Sequence, residues 1–235
     1  MKGLRSALGF LTVFGGAASP SPAALAWFGP VGLLVGALVG SAWWLAGRTV
    51  SPLLAAGLAL VVDALVTGML HLDGLADTAD GLLPPVPRER RLQIMRTPDI
   101  GAFGVVVLIL VIGLRWSALA AQVPSIGLVA GLWAAGRAVM CGATAFVPYA
   151  RDQGLASGFA DRARAARATI ANVVCAGVVL SSGWRGVAAL VAAVSSGAAV
   201  VLFAKRRLGG YTGDVLGAAG VCAETVGLVV AASIR

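Results

Sequence analysis

The chain has 235 residues, of which 59% are hydrophobic and 12% charged, and its formal net charge is +8. Soluble domains average about 45–50% apolar and about 25% charged residues, so a chain this poor in charge excludes an ordinary soluble enzyme. High hydrophobicity excludes a disordered chain, and 3 Cys are too few for a disulfide scaffold.

What remains is an all-α fold: a polytopic integral membrane helical bundle, read as one domain over residues 1–235. The stretch Leu4–Ala18, after Lys2 and Arg5, has Gly at 9, 15 and 16 and is too short to span. It reads as an N-terminal interfacial or re-entrant helix. A spanning helix needs about 20 mostly apolar residues. Seven candidates follow: Trp27–Ala46, Val50–Leu70, Ile100–Val123, Ser125–Val147, Ala168–Ser182, Gly186–Ala204 and Val215–Ala232. Runs such as Val105–Leu114 do not alternate apolar with polar, which excludes a β-barrel. The 32 Gly residues suit close helix–helix approach in lipid. Cys141, Cys175 and Cys222 lie inside predicted spans without metal-like spacing and read as small apolar filler.

The basic residues orient the bundle. Arg88, Arg90, Arg91 and Arg96 fall in one connection. Arg151, Arg162, Arg164 and Arg167 fall in a second, and Lys205, Arg206 and Arg207 in a third. With Lys2 and Arg5 these are thirteen of the 18 basic residues. The turns at Gly47–Thr49, Pro124 and Gly183–Arg185 are nearly uncharged, so all the basic segments can share the cytoplasmic face. Such a face also suits anionic lipids or anionic substrates. No nucleotide-binding glycine motif or nucleophile elbow is present, and nothing suggests a nucleic-acid partner.

Acidic residues are scarce, ten in all, yet three lie in His71–Leu83: Asp73, Asp77 and Asp80. Spacings of four and three place them on one helical face, where like charges repel. A divalent cation relieves that repulsion, and hard oxygen donors select Mg²⁺, Mn²⁺ or Ca²⁺. The alternative is a solvated helix end. The segment emerges at the basic face and leads into the arginine connection, an arrangement suited to a phosphate or diphosphate. Gly209–Asp214 forms a second polar site. There Thr212 or Asp214 either caps the last helix or, in the case of Asp214, faces the acidic stripe as a ligand or proton acceptor. Ile100–Gly104 is either a phosphate-binding helix entry or a tight helix start. Arg137 and Glu224 lie about 15 Å deep and Asp63 about 12 Å deep at 1.5 Å per residue. Ionisable groups there are usually paired or functional, so an Arg137–Glu224 pair is expected, with Asp63 able to join. Arg115 beside Trp116 is expected to snorkel toward the outer face. His71, the single His, is either a substrate or proton-relay group or an interfacial hydrogen-bonding residue.

The segments HLDGLADTADGL, IMRTPDIGAFG, PYARDQGL and GGYTGDVLGA, in this order, resemble the cobalamin (vitamin B12) synthase family, adenosylcobinamide-GDP ribazoletransferase. The resemblance runs from about Phe10 to Glu224 and is most specific at His71–Leu83. It implies a Mg²⁺-dependent phosphotransferase in a prokaryotic inner membrane, with its active site facing the cytoplasm. Such an enzyme joins adenosylcobinamide-GDP to α-ribazole or its 5′-phosphate and releases GMP. Carried over, Asp73, Asp77 and Asp80 form the metal and diphosphate site, with Asp214 as a further catalytic carboxylate. Substrate contacts then fall to Arg96, Gly101, Gly104, Arg151 and Gly213, and the lone His71 and the deep Arg137 and Glu224 are further substrate-contact candidates on their own reading. Thr97-Pro98 departs from the family pattern, in which an acidic residue often follows the basic one. A homo-oligomer is compatible with the sequence. Two other functions compete for these residues. A CDP-alcohol phosphotransferase matches only at Asp77–Gly81 and then meets Pro84-Pro85 in place of Ala-Arg. An ion-coupled transporter would use Asp63, Arg137 and Glu224, but no internal repeat accompanies them.

Overall fold

A computed structural model describes residues 2–16 and 19–234. Ala17 and Ala18, the end of the expected Leu4–Ala18 stretch, lie outside the described residues. Helix α1 (Lys2–Leu11) buries Gly3, Ser6, Ala7 and Leu11 and leaves Lys2 and Arg5 exposed. Its Phe10 stacks on Phe28 and meets Phe159 edge-on, so the helix is fastened to the bundle by an aromatic cluster.

A 3-10 turn, Pro22–Trp27, leads into α2 (Phe28–Ala46). Gly32, Gly36 and Gly40 recur every four residues along one face of α2. A Cβ at Gly36 would stand 2.7 Å from the Cα of Ala130 in α7 (Ile126–Phe146). The small-residue stripe therefore sets backbone-to-backbone packing, which is how helices associate where lipid removes the hydrophobic drive. α3 (Pro52–Thr67) is capped by Ser51 and ends at Gly68, whose φ of 62° is the left-handed stop. Met69 continues at φ 60°. These two residues turn the chain by 90° into α4 (Leu70–Leu82). α4 thus lies across the α3 axis instead of prolonging it.

A short helix, α5 (Arg88–Ile94), precedes α6 (Ala102–Ala120) and α7. α8 (Arg162–Ala176) continues through a 3-10 segment, Gly177–Ser182, into α9 (Gly183–Leu208). The chain doubles back within this stretch. Asn172 bonds Cys141 and Gly197 meets Val139, so positions 25 residues apart touch neighbouring turns of α7. The reversal falls at Gly183, at φ 62°. α10 (Gly213–Ser233) closes the bundle, packed mainly on α9, α4 and α7.

All-α architecture is as expected. Among the described residues the one β-feature is an isolated parallel bridge between Tyr149 and Tyr211. Among the described residues five helical stretches are long and apolar enough to cross a membrane, or six if α3 and α4 count as one bent span, with Arg162–Leu208 counted once although the chain reverses within it; length and composition alone do not reach the expected seven. The physical reasons are local. The expected span Val50–Leu70 is broken at Gly68. The expected span Ala168–Ser182 belongs to α8, which has only 15 helical residues before the 3-10 segment.

A carboxylate–arginine face as the candidate active site

α4 and α10 carry the site, and glycine sets their separation. A Cβ on Gly74 would lie 2.9 Å from the carbonyl oxygen of Asp214, and one on Gly217 would lie 3.2 Å from the Cα of His71. The close crossing brings Asp214, in the first turn of α10, against the α4 face that bears Asp73 and Asp77. Asp73 is exposed and Asp77 half-buried. Burial, then the neighbouring Asp214 and Asp73 carboxylates, push Asp77 up to about 7. Two sequence-distant segments thereby meet, as one reading of Gly209–Asp214 expects.

Arg151 binds this cluster from the opposite side. Its Nη2 donates to Asp214 Oδ2 at 2.9 Å and to the carbonyl of Met95 at 3.1 Å. Among the described residues its buried Nε has no hydrogen-bond partner, an unsatisfied donor beside the carboxylates. Thr212 is the N-cap of α10, accepting from the Val215 N–H, and donates its hydroxyl to Asp214. Thr212 thus takes the capping role, and Asp214 faces the α4 carboxylates. Gly213 opens the helix, and Arg96, exposed, follows the Met95 carbonyl that Arg151 holds.

Asp80 has a different task from Asp73 and Asp77. Its two oxygens accept from the N–H groups of Gly101 (2.7 Å) and Gly104 (2.9 Å), so it caps the start of α6. A Cβ on either glycine would overlap the Asp80 carboxylate. These N–H groups, expected as substrate contacts, are therefore committed within the protein, and Ile100–Gly104 is a tight helix start. Arg91 likewise caps α4 through the carbonyls of Gly81 and Leu82, and Arg88 binds the carbonyls of Leu208 and Ala150. Half of the first arginine connection thus closes helix ends.

Arg137 and Glu224 form the expected pair at 2.7 Å and are 1% and 2% exposed within the bundle. Asp63 joins them, as anticipated, through a residue that sequence reasoning misplaced. Arg115 does not snorkel; it is 2% exposed and binds both Asp63 and Glu224. Two carboxylates at the same depth outweigh the pull of the interface. His71 is also buried, and neither ring nitrogen has a hydrogen-bond partner among the described residues.

Carboxylate oxygens suit Mg²⁺, which takes one or two of them and keeps water and substrate phosphate in the rest of its shell. Among the described residues no three His, Cys, Asp or Glu side chains are grouped to hold an ion by themselves. The gathering of Asp73, Asp77 and Asp214 fits a cation shared between one or two carboxylates and a ligand, and does not fit an all-protein cage.

An apolar helical bundle with carboxylates and an arginine gathered where two helices begin defines a multi-pass membrane protein equipped to hold an anionic group. The cobalamin-5-phosphate synthase family model matches residues 3–232, and the chain belongs to that family, whose members are membrane enzymes of cobalamin synthesis. Its relatives include the adenosylcobinamide-GDP ribazoletransferase of Bradyrhizobium diazoefficiens, 41% identical over 99% of this chain and 94% of the relative. The enzyme of the same name from Chlorobium phaeobacteroides is 36% identical over 96% and 95%. That from Rhizobium etli is 41% identical over 80% and 76%. No solved structure matches the chain. Family membership decides against both the CDP-alcohol phosphotransferase and the transporter.

Proposed function

We propose that the chain transfers the adenosylcobinamide phosphate group of adenosylcobinamide-GDP to α-ribazole or its 5′-phosphate, releasing GMP, at the Asp73–Asp77–Asp214–Arg151 face. The observation that carries this reading is the convergence of Asp214 and Arg151 on the α4 carboxylates. The named activity of the relatives supplies the substrates.

The reaction needs charge neutralisation on a diphosphate and an acceptor for one proton. The ribazole hydroxyl oxygen bonds to the phosphorus nearer cobinamide, the bond from that phosphorus to the GMP oxygen breaks, and the hydroxyl proton leaves. Arg151, fixed by Asp214 and Met95, offers its positive charge to phosphate oxygens, with Arg96 beside it. Among the described residues Asp214 uses only Oδ2 in hydrogen bonds, which leaves Oδ1 to accept the proton. Asp73 and Asp77, one turn apart, would hold Mg²⁺. When bound, Mg²⁺ supplies Lewis-acid stabilisation of the charge that builds on the diphosphate. The face looks toward the cytoplasm of a bacterial inner membrane, supported by the basic connections around it.

The test is an omission experiment with purified protein. GMP should appear only when adenosylcobinamide-GDP, α-ribazole and Mg²⁺ are all present. Chelation should stop it and added Mg²⁺ restore it. GMP released equally without α-ribazole would make the protein a hydrolase and contradict the proposal.

A further inference from the structure

Beneath the carboxylate face lies a polar network that joins four helices inside the apolar bundle. At its centre is Arg115 of α6. Its Nε donates to Thr225 Oγ1 at 2.7 Å and its Nη1 to Asp63 Oδ2 at 3.1 Å. Its Nη2 donates to the Val221 carbonyl at 3.1 Å and to Glu224 Oε2. Asp63 belongs to α3 and accepts a second hydrogen bond from Trp133 Nε1 of α7 at 2.9 Å. Glu224 accepts its second from Arg137 of α7. Two arginines and two carboxylates cancel in charge, so the network is neutral as a unit.

Its place in the bundle ties it to the reaction site. α6 is held at both ends by charge: Asp80 of α4 grips its first turn, and Arg115, eleven residues or about 16 Å beyond Gly104, grips α10 and α3. α10 is held at its start by α4 through Gly74 at Asp214 and at its middle by Arg115 through Glu224 and Thr225, about 15 Å away. α4, α6 and α10 therefore form a closed frame. The two helices that carry the site carboxylates meet at one end of it, and a single forked guanidinium fixes the other. A shift of α6 along α10 cannot occur without moving α4 against Asp214.

We propose that Arg115 is a positioning residue for phosphoryl transfer, setting the axial register of α6 and α10 and with it the spacing of Asp77 and Asp214. This rests on the site reading above. The planar fork is essential to it, because a lysine keeps the charge but cannot bond α3 and α10 in several fixed directions. The effect is one of orientation: binding groups survive, and their alignment with the reacting phosphorus does not.

The test compares Arg115→Lys and Arg115→Met with Asn172→Ala, assayed as full-length protein well below each melting temperature and per folded molecule. Asn172 is an equally buried polar anchor, bonded to Gly29 and Leu25 outside the frame. GMP release should fall in kcat about 100-fold for Arg115→Met and about 10-fold for Arg115→Lys, with KM for both substrates within about threefold. Asn172→Ala should keep kcat within about twofold. If Arg115→Met does not fold, the lysine variant, which keeps a positive charge beside the buried carboxylates, decides alone. Unchanged kcat in the Arg115 variants overturns the proposal, as does a loss carried by KM. Asp77→Asn assayed alongside separates the two failures. If it is inactive while the Arg115 variants are not, positioning alone is wrong; if it is active, the site reading is wrong.

Discussion

Asp80 shows how much a side chain's task depends on what lies outside its own helix. By spacing it belongs with Asp73 and Asp77. In space its oxygens are bound by Gly101 and Gly104, residues 21 and 24 positions onward. A charged cap on a partly buried helix start contributes about 1.5–3 kcal/mol per hydrogen bond. Asp80→Ala is therefore expected to lower stability by about 2–3 kcal/mol, read as earlier thermal unfolding in detergent. Asp73→Ala, at an exposed position, should leave unfolding within about 0.5 kcal/mol of the parent. Equal melting of the two variants would contradict the division of roles. The deep charges were legible in the sequence as residues, because an ionisable group in an apolar run is visible without a structure. Their pairing was only partly legible. The sequence sends Arg115 out to the interface instead of into a pair, since nothing local reveals that Asp63 and Glu224 lie at its own level.

Among the elements, α4 and α10 decide the geometry of the site, and their crossing depends on two residues without side chains. Gly74→Val would drive a branched side chain into the Asp214 backbone. Overpacking of this kind costs about 1–3 kcal/mol, and a displacement near 1 Å can cost about 100-fold in rate. GMP release should thus fall far more than stability does, which parallel melting and turnover assays would show. The acidic stripe on α4 was readable from its four-and-three spacing, and Gly209–Asp214 from its glycines beside a lone acid. The right-angle turn between α3 and α4 was not, because an apolar run through Leu70 gives no sign that two successive residues, Gly68 and Met69, adopt positive φ. The capping by Arg88 and Arg91 was equally hidden. Charge counts register an arginine as part of a basic face whether it meets a phosphate or a backbone carbonyl.

For the whole molecule, the +8 charge serves topology first and the site second. The fold class followed from composition alone, whereas the number of membrane-length helices did not, because α3 breaks and α8 is short. The sidedness of the basic connections makes a direct prediction. Single cysteines at Arg90 and Arg206, both exposed, should react with a membrane-impermeant maleimide only after spheroplasts are opened. A cysteine at Arg48, at the opposite turn, should react in intact spheroplasts. The reverse pattern would put the carboxylate face outside.

All of this converges on the claim that the α4 carboxylates, set against Asp214 and Arg151, are where the diphosphate is cleaved. The most direct measurement is GMP release by Asp77→Asn, a change that keeps size and removes charge, in protein shown by melting to be folded. The predicted result is loss of turnover by at least about 1,000-fold, with the variant still folded in the membrane. Turnover within a few-fold of the parent would contradict the account at its centre.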